Sequence, residues 1–233
     1  EVKLNKPIYS GMAILDLSKV LMYEFYYEVL KPKLGENVKL AYMDTDSFVL
    51  HTNKSVDIHK FMIDNNEYFD LSNISNDHKM FQGLTSDKIK NLLSKNKKVI
   101  GMMKDELEGN SMTKFVALKP KMYAYEAVVD GKIVGDKKCK GVNKGVVKRD
   151  ILFDDYISVL NAGIDAHTKK VNNEDFKKEL SQTKMQHTQT TLRSYNHKIY
   201  TIDQTKTSLN CFDDKRYILD DGINTLPCHH YSV

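Results

Sequence analysis

No stretch of this sequence approaches the eighteen or more consecutive apolar residues that a membrane-spanning helix needs, so no membrane partner is expected. The first residues, Glu1-Val2-Lys3, carry charge where a signal peptide would build an apolar core, so no export signal is expected either. Cysteine is scarce and odd in number: Cys139, Cys211 and Cys228 form no CxxC pair, which favours an intracellular, reducing compartment over a disulfide framework. Cys228-His229-His230 lacks a second ligand pair at zinc spacing and reads as tail. Lys104-Asp105-Glu106-Leu107 spells a retention signal that is read only at a C-terminus, and here it is internal. Internal repeats and low-complexity linkers are also missing.

At 233 residues, 41% of them hydrophobic, the chain can bury a sizeable core in one large domain or two modest ones. Its net charge is only +4, but the distribution is uneven. Between Lys119 and Arg149 nine basic residues face three acidic ones, +6 over 31 residues, which leaves −2 for the remainder. A local positive field of this kind suits a polyanion such as nucleic acid, and equally a plain solvated face.

Along the chain, Ser10 can cap a helix, and Ile14, Leu17, Leu21, Phe25 and Val29 recur at spacings of three and four. The pattern predicts an amphipathic helix over residues 11–31, ended by Lys31-Pro32. Val38, Leu40 and Tyr42 then alternate as in a strand, and Phe48, Val49 and Leu50 form a second one. Residues 55–95 are polar and predict connecting surface structure with short helices near 56–68 and 86–94. From Lys98 to Cys139 a β-meander is expected, its runs separated by Gly, Asn and Asp turn residues. FDDYISVLNAG and NEDFKKEL predict short helices, and SQTKMQHTQTTLRS and HKIYTIDQTK predict strands. The fold class expected is α+β.

Between the first two strands lie Asp44 and Asp46 in the stretch KLAYMDTDSFVLHT. Two carboxylates about 5 Å apart repel by roughly 3 kcal/mol at an effective dielectric near 20. In an extended strand residues i and i+2 share a face, so both can be directed into one space, with Thr45 facing away. Hard carboxylate oxygens suit Mg²⁺, which binds through one or two carboxylates plus substrate phosphates. The competing reading of the same residues is a simple turn, since Asp and Ser bond readily to nearby backbone N–H groups.

The segment YMDTDSFVLH resembles the Tyr-x-Asp-Thr-Asp-Ser signature of family B DNA polymerases, which sits at the tip of a β-hairpin in the palm. Further stretches are similar to the protein-primed branch, found in viruses and self-synthesising DNA transposons, and follow in its order. KPIYSGMAILDLSKVLMYEFYY resembles the helix before that hairpin, and LKPKMYAYE the Lys-x-Tyr motif that sets Lys121 and Tyr123 against the primer terminus. KKCKGVNKGVVKRDILFDDY resembles the start of the thumb, with Lys137, Lys138, Lys140 and Lys144, and DDKRYILDDGINTLP resembles a stretch of transposon-type members.

The resemblance implies a partial polymerase palm over 1–125 and a β-rich thumb and C-terminal region over 126–233. The activity implied is DNA-directed DNA polymerisation, transfer of a nucleotide from dNTP to a primer 3′-hydroxyl with Mg²⁺ or Mn²⁺. Asp46 would be the main metal ligand and catalytic carboxylate, with Asp44 in support; Lys121, Tyr123, Lys137, Lys138, Lys140 and Lys144 would hold DNA. The partners implied are template-primer DNA, dNTP and a terminal protein as primer, in a nucleus or viral replication site. The family's upstream Asp-x-x-Ser-Leu-Tyr-Pro motif, its Lys-rich fingers helix and its exonuclease are not found in the sequence. The chain is therefore expected to be a C-terminal fragment, to need a separate N-terminal polymerase portion, to be inactive alone, and to self-associate through an exposed sheet edge. The alternatives are a non-catalytic nucleic-acid-binding module derived from palm and thumb, and a structural domain with a solvated basic face.

Overall fold

The computed structural model describes residues 6–168, 186–211, 216–219, 225–227 and 230. The chain forms two compact units, 1–111 and 112–233, both of mixed helix and small sheets, as the α+β expectation has it. The two compact units part between Ser111 and Met112, ahead of a three-stranded sheet in which residues 122–129 form the central strand.

In the first unit, helix α1 (Ile8–Glu24) runs through a π-helical turn (Phe25–Leu30) into α2 (Lys31–Leu34). Pro32 does not end the helix. The wider turn before it bonds Lys31 N–H to Tyr26 O, and Pro32 opens the next segment, where its missing N–H costs nothing; Gly35, at φ +57°, is the stop. Nor is Ser10 the cap: Pro7 occupies that position and Ser10 lies in the first turn.

The predicted hairpin is present as β1 (Val38–Asp44) paired antiparallel with β2 (Ser47–Thr52), a two-stranded sheet with a register shift between Leu40 and Tyr42. After it come α3 (Ile58–Asp64), β3 (Phe69–Asp70), α4 (Ser86–Lys95) and β4 (Met103–Lys104), with β3 and β4 parallel. Asp57 caps α3 by accepting the Lys60 N–H at 3.0 Å, and Thr85 caps α4 by accepting that of Lys88 at 3.4 Å.

Residues 55–95 were expected to be surface structure, and they supply much of the core instead. Phe61, Met62, Phe69, Leu71, Ile74 and Phe81 bury against Phe25, Tyr26, Val29, Leu30 and Val38. Phe25 is the hub, with ring centroids 5.7 Å from Phe69 and 6.4 Å from Phe48. The predicted stripe on α1 is thus only half used: Phe25 and Val29 are buried, whereas Ile14, Leu17 and Leu21 are exposed.

The second unit is built on an antiparallel meander, β5 (Met112–Lys119), β6 (Met122–Val129) and β7 (Lys132–Cys139). The β6–β7 turn is Asp130-Gly131, both at positive φ, the geometry that matches the twist of a hairpin. Helices α5 (Lys144–Asp150) and α6 (Phe153–Thr168) cover one sheet face, burying Val116, Ala124, Val147, Ile151 and Tyr156. Tyr156 is fully buried and donates its hydroxyl to Lys138 O at 3.0 Å. A long hairpin follows, β8 (Gln186–Tyr195) with β9 (Lys198–Thr207), then a short pair, β10 (Arg216–Ile218) with β11 (Thr225–Pro227). The NEDFKKEL helix and the pair Cys228-His229 lie outside the described residues. Among those described, no helix is long and apolar enough to cross a membrane.

Asp70 holds the loops of the first unit together. Only 6% exposed, it accepts the Ser72 N–H at 2.9 Å, the Lys98 N–H at 3.2 Å and Lys104 Nζ at 3.3 Å. Burial alone would raise its pKa, but the hydrogen bonds from Ser72, Lys98 and Lys104 outweigh burial and hold it well below the ordinary carboxylate range. Its contribution to stability is complete above the unfolded carboxylate pKa near 3.9 and fades as pH falls below that value toward the depressed folded one. Asp70→Ala should cost about 2–3 kcal/mol in urea unfolding at neutral pH, with a gap from wild type that narrows below about pH 4.

Candidate functional site

The hairpin turn is very tight. Asp44 is the last residue of β1 and pairs with Ser47, which opens β2, so only Thr45 and Asp46 form the loop. The Asp46 N–H donates to Asp44 O at 2.6 Å across Thr45, and the Ser47 hydroxyl donates to the same carbonyl at 3.2 Å. Thr45 pays the conformational cost at φ +57°, a left-handed value unfavourable for a β-branched side chain. Its hydroxyl lies 3.2 Å from Asp44 Oδ1 as donor.

This geometry changes the argument for a shared space. The i, i+2 rule holds for extended backbone, and a left-handed Thr45 removes it, so the strand pleat does not align Asp44 with Asp46. The repulsion is also smaller than two buried strands would imply. Val38 is the only buried residue of the hairpin; Asp44 is half-buried and Asp46 exposed. In water-like surroundings two charges at such separations repel by only about 1 kcal/mol. Solvent at the turn weakens the repulsion.

In donor chemistry the two carboxylates fit one hard cation shared with a substrate phosphate. They do not amount to a two-ion centre: among the described residues no group of three or more His, Cys, Asp or Glu stands ready to hold a metal. Beside the turn, one face of α1 and the hairpin residues Met43 and Thr45 line an open groove of about 890 Å³.

The basic residues belong to the second unit. Lys121, at φ +61°, sits in the β5–β6 turn, and its carbonyl accepts the Lys140 N–H at 3.0 Å, which brings those two residues together. Tyr123 is directly opposite Lys138 in the β6–β7 ladder, and its ring lies 6.0 Å from that of Phe115. Lys121, Tyr123, Lys138 and Lys140 therefore share one end of the meander. Lys138 forms an ion pair with Asp136 at 2.7 Å; the hydrogen bond to Asp136 raises its pKa, and the pair is half-exposed and energetically slight.

Lys137 serves otherwise. Its Nζ donates to the carbonyls of Lys148 and Ile151, where α5 ends, so it closes a helix C-terminus. Alternation already carried that signal: Lys137 falls on the same strand face as the buried Cys139. Burial pushes the Cys139 thiol up to about 11, which keeps it protonated as a packing group. Lys144 opens α5, and Lys148, already counted in the basic stretch that ends at Arg149, lies one turn further on the same helix face. Both are exposed. No family model, curated protein or solved structure matches this chain.

Relieving the strained residue tests the turn. Thr45→Gly should raise stability by about 1 kcal/mol in chemical denaturation, since glycine accepts the left-handed conformation without penalty. A loss of stability would show that the Thr45 hydroxyl matters more than its backbone strain.

Proposed function

We propose that the chain is the palm-tip and thumb portion of a DNA polymerase of the protein-primed family B type, working on template-primer DNA and dNTP in a reducing intracellular setting such as a nucleus or viral replication site. The observation that carries this reading is the antiparallel hairpin with Asp44 at a strand end and Asp46 at its turn, within YMDTDSFVLH. The ordered motifs of the second unit support it: the Lys121–Tyr123 pair on the meander and the basic residues that follow.

Asp46, with Asp44 in support, would hold one Mg²⁺ or Mn²⁺, which when bound supplies Lewis-acid stabilisation of charge on phosphoryl oxygens. Holding the cation at an exposed turn leaves the reaction incomplete: a second set of carboxylates and a grip on the triphosphate must come from another polypeptide segment. The chain alone is inactive on this reading. Lys121, Lys138, Lys140 and Lys144 contact phosphate as mobile point charges, and Tyr123 braces the sugar-phosphate edge, so binding is independent of base sequence.

A second reading, a nucleic-acid-binding module that has lost the chemistry, is favoured by the solvent exposure of Asp46 and by the lack of a third ligand group among the described residues. Primer extension separates the two. The chain alone should give no template-dependent synthesis; supplied with the upstream palm and fingers it should extend a primer, and Asp46→Asn should abolish that activity. If the complemented protein is inactive and Asp46→Asn changes nothing, the second reading holds.

DNA binding is common to both readings. Affinity for duplex of any sequence should fall steeply with salt, and Lys140→Ala or Lys144→Ala should each lower the log–log salt slope by about 1 with no change in melting temperature. No binding by fluorescence anisotropy at about 50 mM salt would contradict both.

A further inference from the structure

One broad stripe of α1 is left exposed among the described residues, and its composition selects a partner. Ile8, Met12, Leu15, Val20, Tyr23 and Tyr27 recur at intervals of three to five residues along it and are between 51% and 82% exposed. Only two charges interrupt the stripe, Asp16 and Lys19, both more than half exposed and 3.5 Å from one another.

The arrangement is self-complementary. When two copies of such a helix pack antiparallel about a two-fold axis, each residue faces the one equally far from the midpoint on the other side. With the midpoint between Leu17 and Ser18, Asp16 meets the second copy's position 19 and Lys19 its position 16. The same operation sets Leu15 against position 20, a valine, Met12 against position 23, a tyrosine, and Ile8 against position 27, also a tyrosine. The whole stripe maps onto itself, apolar on apolar and acid on base. A parallel pairing would instead stack Asp16 on its own copy and Lys19 on its own.

The area is sufficient. The six apolar residues expose the equivalent of nearly four whole side chains, on the order of 700 Å² at about 200 Å² each, against about 800 Å² per partner in a standard interface. The groove between this face and Met43 and Thr45 of the hairpin gives the second helix a bed.

We propose that this face of α1 is a homodimer interface, two copies pairing antiparallel through α1 with reciprocal Asp16–Lys19 contacts across the two-fold axis. The interface does not rest on the polymerase reading: its groove reaches Met43 and Thr45 beside the turn, but Asp44, Asp46 and the basic residues of the second unit do not line it.

Charge swapping on the full chain tests it by sedimentation velocity, with circular dichroism to verify that each variant is folded. Wild type should form a discrete dimer with a dissociation constant in the micromolar range. Asp16→Lys and Lys19→Asp should each weaken the dimer at least about tenfold, because each sets like charges opposite one another twice. An equimolar mixture of the two variants should dimerise again, as should the double variant Asp16→Lys/Lys19→Asp. A wild type that stays monomeric to about 100 μM overturns the proposal and assigns the face to a different polypeptide. Higher-order aggregates in place of a dimer overturn it, as do single variants that dimerise as tightly as wild type or a mixture that fails to recover.

Discussion

Solvent access to the Asp44–Thr45–Asp46 turn is the constraint on which the functional account depends. Repulsion within a carboxylate pair can be relieved in two ways, by a cation between the charges or by water around them, and the exposed hairpin tip admits the second. Because the strands pair only with one another, no neighbouring strand encloses the tip among the described residues. The turn is held by its own backbone, with Asp46 N–H and the Ser47 hydroxyl both on Asp44 O, and by accepting strain at Thr45. It is a platform that exposes Asp46 to solvent beside a half-buried Asp44. Among the described residues no further donors gather there, and the proposed division of labour with another segment rests on that.

The same separation between scaffold and exposed function runs through both units. In the first, the π-helical turn packs Phe25, Tyr26, Val29 and Leu30 against β1 and the 58–81 segment, so the base of the hairpin is well packed while α1 ahead of Met22 is largely exposed. In the second, α5 and α6 seal one face of the meander around Ile151 and Tyr156. The cationic side chains gather at the turns and on the exposed face of α5. Lys137 marks the border between these roles, its charge used to terminate a helix.

The hairpin was legible because Val38, Leu40 and Tyr42 alternate with less apolar neighbours, Phe48-Val49-Leu50 form a second apolar run, and polar residues separate the two. The detail at its tip was not, because strand alternation presumes extended backbone and nothing local announces that Thr45 turns left-handed. Pro32 misled for a related reason: a proline stops a helix only where its N–H is required, and the π-helical turn in front of it removed that requirement. The 55–95 segment was read from its polar average, yet Phe61, Met62, Phe69, Leu71, Ile74 and Phe81 are buried through turns and short helices too irregular to show a period. The packing divides the chain where the meander begins, whereas the resemblance divides it by function at 125/126.

Mn²⁺ titration followed by paramagnetic broadening in two-dimensional NMR tests the central claim most directly. The account predicts one weak site, on the order of millimolar, with broadening confined to residues 43–47 and removed by Asp46→Asn. Two ions bound with micromolar affinity, or broadening that leaves the turn untouched, would contradict it.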